Sequence, residues 1–260
     1  MKKYKILSGV MAAAVLGGAS ALASFNYQNG DLLAAFGDGG STDVIVDLGA
    51  IANYQAGATT QTFDLNAVLT SVFGSVNSGI YWSVFGVNDT SIGGSNPSVT
   101  QTDANTVWAS LARSNPAVKS TTPHVSGNSA SQGLVVGDIQ TIANLTLPSQ
   151  AGPGLITDYA AGIELVNKSL GGFTSLMSSP YNGNFQGDLT FNTLNNGAGT
   201  SDLYQSDPGN HNTQSATYLG NYSLSAGGSL TFNPAAVPEP STWAMVGSGA
   251  LALLALRRRK

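Results

Sequence analysis

Apolar residues recur along much of the chain with a period of two, the spacing of a β-strand with one covered face. Ser229-Leu230-Thr231-Phe232-Asn233 puts Leu230 and Phe232 on one side, and Asp188 to Leu194 alternates in the same way. Thr217 to Leu224 reads as a further strand, and Ser225-Ala226-Gly227-Gly228 joins it to the alternating segment as a hairpin. Asp43 to Gly49 predicts a strand opened by the turn Gly37-Asp38-Gly39-Gly40. Gly79 to Val87 is apolar on both faces apart from Ser83 and rich in aromatic and β-branched residues. That composition predicts a strand in the middle of a sheet.

Two segments break the period. Asp64 can cap a helix that sets Leu65, Val68, Leu69, Val72 and Phe73 on one face, with Gly74 ending it. Thr157-Asp158 predicts the start of a second helix, with Tyr159, Ile163, Leu165 and Val166 apolar and a stop near Gly171-Gly172. Glu164 and Lys168 would then lie one turn apart as a surface pair. Segments 104–112 and 134–148 fit either period, and no internal repeat is present. The pattern predicts a mainly β fold, a single β-sandwich or jelly-roll-like domain with one or two short helices.

The two ends follow another logic. Lys2, Lys3 and Lys5 precede the apolar run Ile6 to Leu16, and Ala21-Leu22-Ala23 is a small-x-small cleavage site. Residues 1–23 read as a secretory signal delivered to the Sec translocon, with cleavage between Ala23 and Ser24. At the other end, Val237-Pro238-Glu239-Pro240 opens the segment 237–260. Two prolines forbid helix there and keep the segment extended. An uncharged stretch, 242–256, follows; as a transmembrane helix it spans about 22 Å, short of the roughly 30 Å hydrocarbon core. Snorkelling of Arg257, Arg258, Arg259 and Lys260 extends it, and these cations hold the terminus in the cytoplasm.

Tripeptide, apolar span and basic cluster in this order resemble the PEP-CTERM sorting signal of Gram-negative bacteria. The resemblance implies recognition of Pro238, Glu239 and Pro240 by exosortase, a membrane-embedded cysteine peptidase that removes the tail. It further implies an inner-membrane-anchored precursor that ends at the cell surface or in an exopolysaccharide-rich extracellular matrix. Asn29 to Phe36, Val44 to Gly49, Tyr218-Leu219-Gly220 and Leu230-Thr231-Phe232 are similar to the body of some PEP-CTERM proteins, a likeness that implies no activity. Apolar, paired opening and closing strands would give a domain whose ends meet.

Between the processing segments lies a body of about 210 residues, 24–236, enough for one sizeable domain. It holds only three of the ten cations, Arg113, Lys119 and Lys168, against thirteen acids, a formal charge of −10. Such a surface repels nucleic acid and gives no reason to adhere to anionic lipid. Few charges with abundant Gly, Ser, Thr and Asn suit an extracellular β domain. The chain has no cysteine, which excludes disulfides, thiolate zinc sites and cysteine catalysis.

Candidate chemistry in the body is sparse. His124 and His211 sit in polar loops, and no G-x-S-x-G accompanies them. Glu164 is the one glutamate of the body, and the aspartates fall at turns where their side chains cap backbone N–H groups. A paired-carboxylate glycoside hydrolase is therefore the least favoured reading. Ca²⁺ is the more plausible ligand, at Asp38 and Asp43 or at Asp202 and Asp207, although neither loop has EF-hand spacing. Tyr81, Trp82 and Trp108 could line a sugar platform or fill the core. The sequence thus favours a non-enzymatic exported surface or matrix protein. A carbohydrate-binding or adhesive module, acting on exopolysaccharide, is the alternative.

Overall fold

The computed structural model describes residues 27–38, 42–55, 57–76, 79–88, 106–120, 156–160, 163–167, 195–206 and 216–236. The predicted signal, Ala21, Ala23 and Ser24 included, and the segment 237–260 lie outside them. So do 134–148 and the alternating segment Asp188 to Leu194.

The described part is mainly β. Eleven strands run β1 (Asp31–Gly37), β2 (Thr42–Ala50), β3 (Gln61–Asp64), β4 (Tyr81–Val87), β5 (Val107–Ala112), β6 (Ile156–Ala160), β7 (Ile163–Asn167), β8 (Asn195–Asn196), β9 (Gly199–Ser206), β10 (Thr217–Leu224) and β11 (Ser229–Pro234). One helix, α1 (Asn66–Phe73), and a 3₁₀ turn, Ile51–Tyr54, interrupt them. All pairings are antiparallel, in the order β3-β11-β10-β9-β5-β4-β1-β2-β7-β6, with β8 paired to β4.

The expected two-sheet sandwich or jelly roll is replaced by one continuous sheet that curls on itself into a half-barrel. The curl follows from ring contacts. Tyr54 leaves the end of β2, five strand spacings from β10, which is about 24 Å in a flat sheet. Its ring nevertheless lies 6.0 Å from Tyr222 of β10 and 5.0 Å from Phe232 of β11. One face of the sheet therefore wraps a core of Leu32, Ala34, Phe36, Val46, Trp82, Val84, Leu203, Tyr222 and Phe232, with Val68 and Leu69 of α1 packed in. The central strands are buried on their other face too, at Leu33, Ala35, Ile45 and Phe85. This accounts for their unbroken apolar runs.

Sequence patterning places several elements correctly. β4 is central, β10 and β11 form the predicted hairpin, and Leu230 and Phe232 share the core face. The predicted helix is α1, but its N-cap is Leu65 rather than Asp64, whose carboxylate accepts the Asn66 N–H at 3.1 Å from one residue further out; Gly74 ends the helix in the left-handed region at φ 79°. Of the segment 104–112, Val107–Ala112 is a strand, β5.

Two expectations are corrected. The helix predicted from Thr157 is the β6–β7 hairpin, so the helical spacing of Glu164 and Lys168 does not apply. β-branched Ile156, Thr157, Ile163 and Val166 favour strands, and β2 supplies a partner edge along Thr42–Val46. The opening and closing strands do not pair either. β4, β5, β9 and β10 separate β1 from β11, and only the curl brings their side chains into one core.

Candidate functional site

The end of β11 is where the body hands over to the C-terminal segment. Gly220 pairs with Pro234, Tyr222 with Phe232, and a bulge separates Tyr218 from Gly220 on the β9 side of β10. Gly220 has φ 152°, and a Cβ there would meet the Asn233 carbonyl oxygen at 2.5 Å and the Phe232 ring at 2.7 Å. The glycine lets the Phe232 ring lie flat against the backbone. Phe232 and Leu230 are buried, and β3 holds them from the other side through Leu230↔Phe63 and Phe232↔Gln61. Beyond the strand, the Ala235 N–H donates to the Leu219 carbonyl at 2.9 Å. Ala235 is half-buried and Ala236 is exposed. The sorting tripeptide begins two residues later, at Pro238.

Beside this exit lies a polar cluster on the sheet face opposite the wrapped core. Asp202 of β9 is buried and pairs with Arg113, which follows β5, at 2.6 Å; their side chains are 0% and 11% exposed. Arg113 donates from Nε and Nη2 to Asp202 Oδ1 at 2.9 and 2.6 Å, and from Nη1 to the Pro116 carbonyl at 2.8 Å. The other carboxylate oxygen accepts the Ser120 N–H at 2.6 Å and the Ser120 hydroxyl at 2.7 Å. Tyr204 donates to the Ser120 carbonyl at 3.1 Å, and Lys119 Nζ stands 4.6 Å above the Tyr218 ring. The Asp202 hydrogen bond holds the Arg113 guanidinium further above its ordinary pKa, outweighing partial burial. The cluster ties segment 113–120 down onto β9 and β10.

The structure places several of the predicted residues. Asp202 has both oxygens hydrogen-bonded, Oδ1 to Arg113 and Oδ2 to Ser120. Asp38 is exposed just after β1 and Asp43 is buried near the start of β2, while Asp207 lies outside the described residues. Among the described residues no three His, Asp or Glu side chains gather as a metal site. Asp47, within β2, and Asp64, at the end of β3, accept from the Gly49 and Asn66 N–H groups two residues on. Trp82 and Trp108 are core residues whose indoles donate to the Gly197 carbonyl at 2.9 Å and to Gln205 Oε1 at 3.0 Å. Tyr81, 40% exposed, is left alone of the three proposed platform aromatics. His124, His211, Val237, Pro238, Glu239, Pro240, Arg257, Arg258, Arg259 and Lys260 lie outside the described residues.

Sequence reasoning missed the Arg113–Asp202 pair. The signal that could have found it is charge scarcity: a cation among so many acids is a strong candidate for a buried partner, although its position gives no hint which acid that is.

Residues 236–260 match the family model of the PEP-CTERM protein-sorting motif. The chain therefore carries that motif at its C-terminus, starting at Ala236 beyond the last strand. The motif implies an exported, membrane-anchored precursor processed by exosortase, a membrane peptidase. No curated protein and no solved structure matches the chain. Among the described residues no helix is long and apolar enough to cross a membrane; the predicted span 242–256 lies outside them.

Proposed function

We propose that the chain is a non-enzymatic component of the cell surface or of an exopolysaccharide-rich matrix, delivered by sorting and acting as a folded β body. The single observation that carries the reading is the sorting motif at 236–260, directly after the last strand of the domain. The N-terminal signal takes the chain out, segment 242–256 holds it in the inner membrane, and removal of the tail beside Pro238-Glu239-Pro240 releases or transfers the body. Support for a body without chemistry comes from three of its described acids. Asp202 is spent on an ion pair, and Asp47 and Asp64 on backbone caps.

The test is the double variant Pro238→Ala, Pro240→Ala, expressed in the native host. Full-length protein is expected to accumulate in the inner membrane, read by fractionation and intact mass. Release at the rate of the unaltered protein would count against sorting through the tripeptide.

A further inference from the structure

Segment 113–120 has the composition and exposure of a cleavage site. It leaves the sheet after β5, and residues 114–119 are exposed. Exposed loop tips of small and polar residues are where proteases nick folded chains. The segment also carries Arg113 and Lys119, two of the three cations between residues 24 and 236. A protease that cuts after Lys or Arg therefore finds most of its targets in the body here, at Arg113–Ser114 and Lys119–Ser120.

Neither bond is free to be cut as the segment stands. Proteolysis of a native chain needs local opening, and a trypsin-like site must also draw the basic side chain into its acidic pocket. The Arg113 guanidinium is held by Asp202 Oδ1 and the Pro116 carbonyl, and its backbone N–H donates to the Thr200 carbonyl at 2.8 Å. Lys119 Nζ lies over the Tyr218 ring. The amide of the Lys119–Ser120 bond itself donates to Asp202 Oδ2 at 2.6 Å. Between the two bonds Asn115 closes a turn, its carbonyl accepting the Val118 N–H and its side chain the Ala117 N–H, each at 3.0 Å.

One carboxylate fastens both ends of this turn. Oδ1 takes Arg113, where the segment leaves the sheet, and Oδ2 takes the N–H and hydroxyl of Ser120, where the segment returns to it. The buried Tyr204 adds a bond to the Ser120 carbonyl.

We propose that Asp202 is a latch that keeps segment 113–120 closed to proteases that cut after Lys and Arg, and that this segment is where the body is nicked once the latch is released. The latch does not depend on sorting through the tail.

Protein purified from the native host is treated with trypsin, and cleavage after Arg113 and Lys119 is followed by mass spectrometry. Rates are compared with those of a free peptide of residues 110–123 carrying the same substitution where it falls there. The unaltered protein should be cut at both bonds roughly a hundredfold more slowly than the peptide. Asp202→Asn keeps an acceptor for Arg113 but cannot accept both donors of Ser120, and should be cut at Lys119–Ser120 about tenfold faster than the unaltered protein. Ser120→Ala, which removes hydroxyl bonds alone, should be cut there several-fold faster. Val118→Ala, exposed and outside the latch, should be cut at the unaltered rate. Chymotrypsin should leave the bonds after Trp108 and Tyr204, in β5 and β9, intact throughout, which separates release of the segment from unfolding. If Asp202→Asn unfolds by that criterion, Ser120→Ala decides. Unaltered protein cut as fast as the peptide, Ser120→Ala cut no faster than the unaltered protein, or Val118→Ala cut as fast as Ser120→Ala would each overturn the latch.

Discussion

Two buried clusters set what single residues do. Asp202 sits in β9 with no exposure, and its charge is tolerable because Arg113 and Ser120 surround it. Removing one member of a buried ion pair leaves the other uncompensated, a loss of about 3–5 kcal/mol. Arg113→Leu strands the carboxylate inside and is expected to cost that much in urea denaturation. Asp202→Asn keeps the acceptor oxygen and leaves Arg113, with 11% exposure, a route to water, so its cost should be smaller. Equal losses in the two variants would refute the assignment of Asp202 as the buried member.

The second cluster is the phenol pair of Tyr54 and Tyr222. Burial, the largest cause, and to a lesser extent the carboxylates of Asp47 and Asp31 push the Tyr54 phenol well above its ordinary pKa of 10.0. Burial and the neighbouring Tyr54 do the same for Tyr222. A raised pKa in the folded state means the neutral phenol is the one that folds. The stability it brings is complete below pH 10 and is lost as pH climbs toward the folded values. Above pH 10 each tyrosine should subtract about 1.4 kcal/mol per pH unit. Tyr222→Phe should therefore halve the alkaline slope of unfolding free energy contributed by the pair. An unaltered slope would show that Tyr222 ionises as freely in the fold as out of it.

At the scale of elements, legibility in the sequence depended on whether a segment decided its own structure. α1 was readable because Asp64, the apolar face from Leu65 to Phe73 and Gly74 all act within one short stretch. The β10–β11 hairpin was readable for the same reason: its turn is four residues of Ser, Ala and Gly, and its inward positions alternate. β6–β7 was misread because Tyr159, Ile163 and Val166 also fit a helical spacing; β2, more than a hundred residues away in the chain, decides the matter by offering an edge. β9 was missed because Gly199–Ser206 is mostly polar, and the partners of its buried Asp202, Arg113 and Ser120, lie more than eighty positions away. Of the candidate site, the sorting motif at 236–260 was legible because the order of its parts is a linear property. The body's part in it, the hydrogen bond from Ala235 to Leu219, was not. Gly220 tests the hairpin. An added methyl would meet Asn233 O and the Phe232 ring within 3 Å, in a backbone conformation that side chains rarely adopt. Gly220→Ala should destabilise by about 1–3 kcal/mol through strain and overpacking. A melting temperature equal to that of the parent protein would show that the bulge yields.

For the molecule as a whole, the consequential feature is that one sheet closes over its own core. A sandwich could lose a strand at one edge and keep the facing sheet. Here the contacts that hold the curl join Tyr54, just after β2, to Tyr222 and Phe232, five and six strand spacings away in the sheet order. Phe232 belongs at once to the core, to the β10 and β3 ladders and to the strand that leads into the sorting tail. Truncating it should cost about 3–5 kcal/mol, and the loss should be shared by the whole sheet rather than by the hairpin alone. Trp82 of β4 and Trp108 of β5, buried in the same wrapped core three and two strand spacings from β10, supply a probe remote from the substitution. Released protein cut beside the tripeptide lacks Trp243, so its tryptophan fluorescence reports on these two residues. In Phe232→Ala the fluorescence and far-UV transitions should shift together to lower urea. Were the tryptophan transition to stay in place while part of the β signal melted early, the sheet would be unfolding piecemeal.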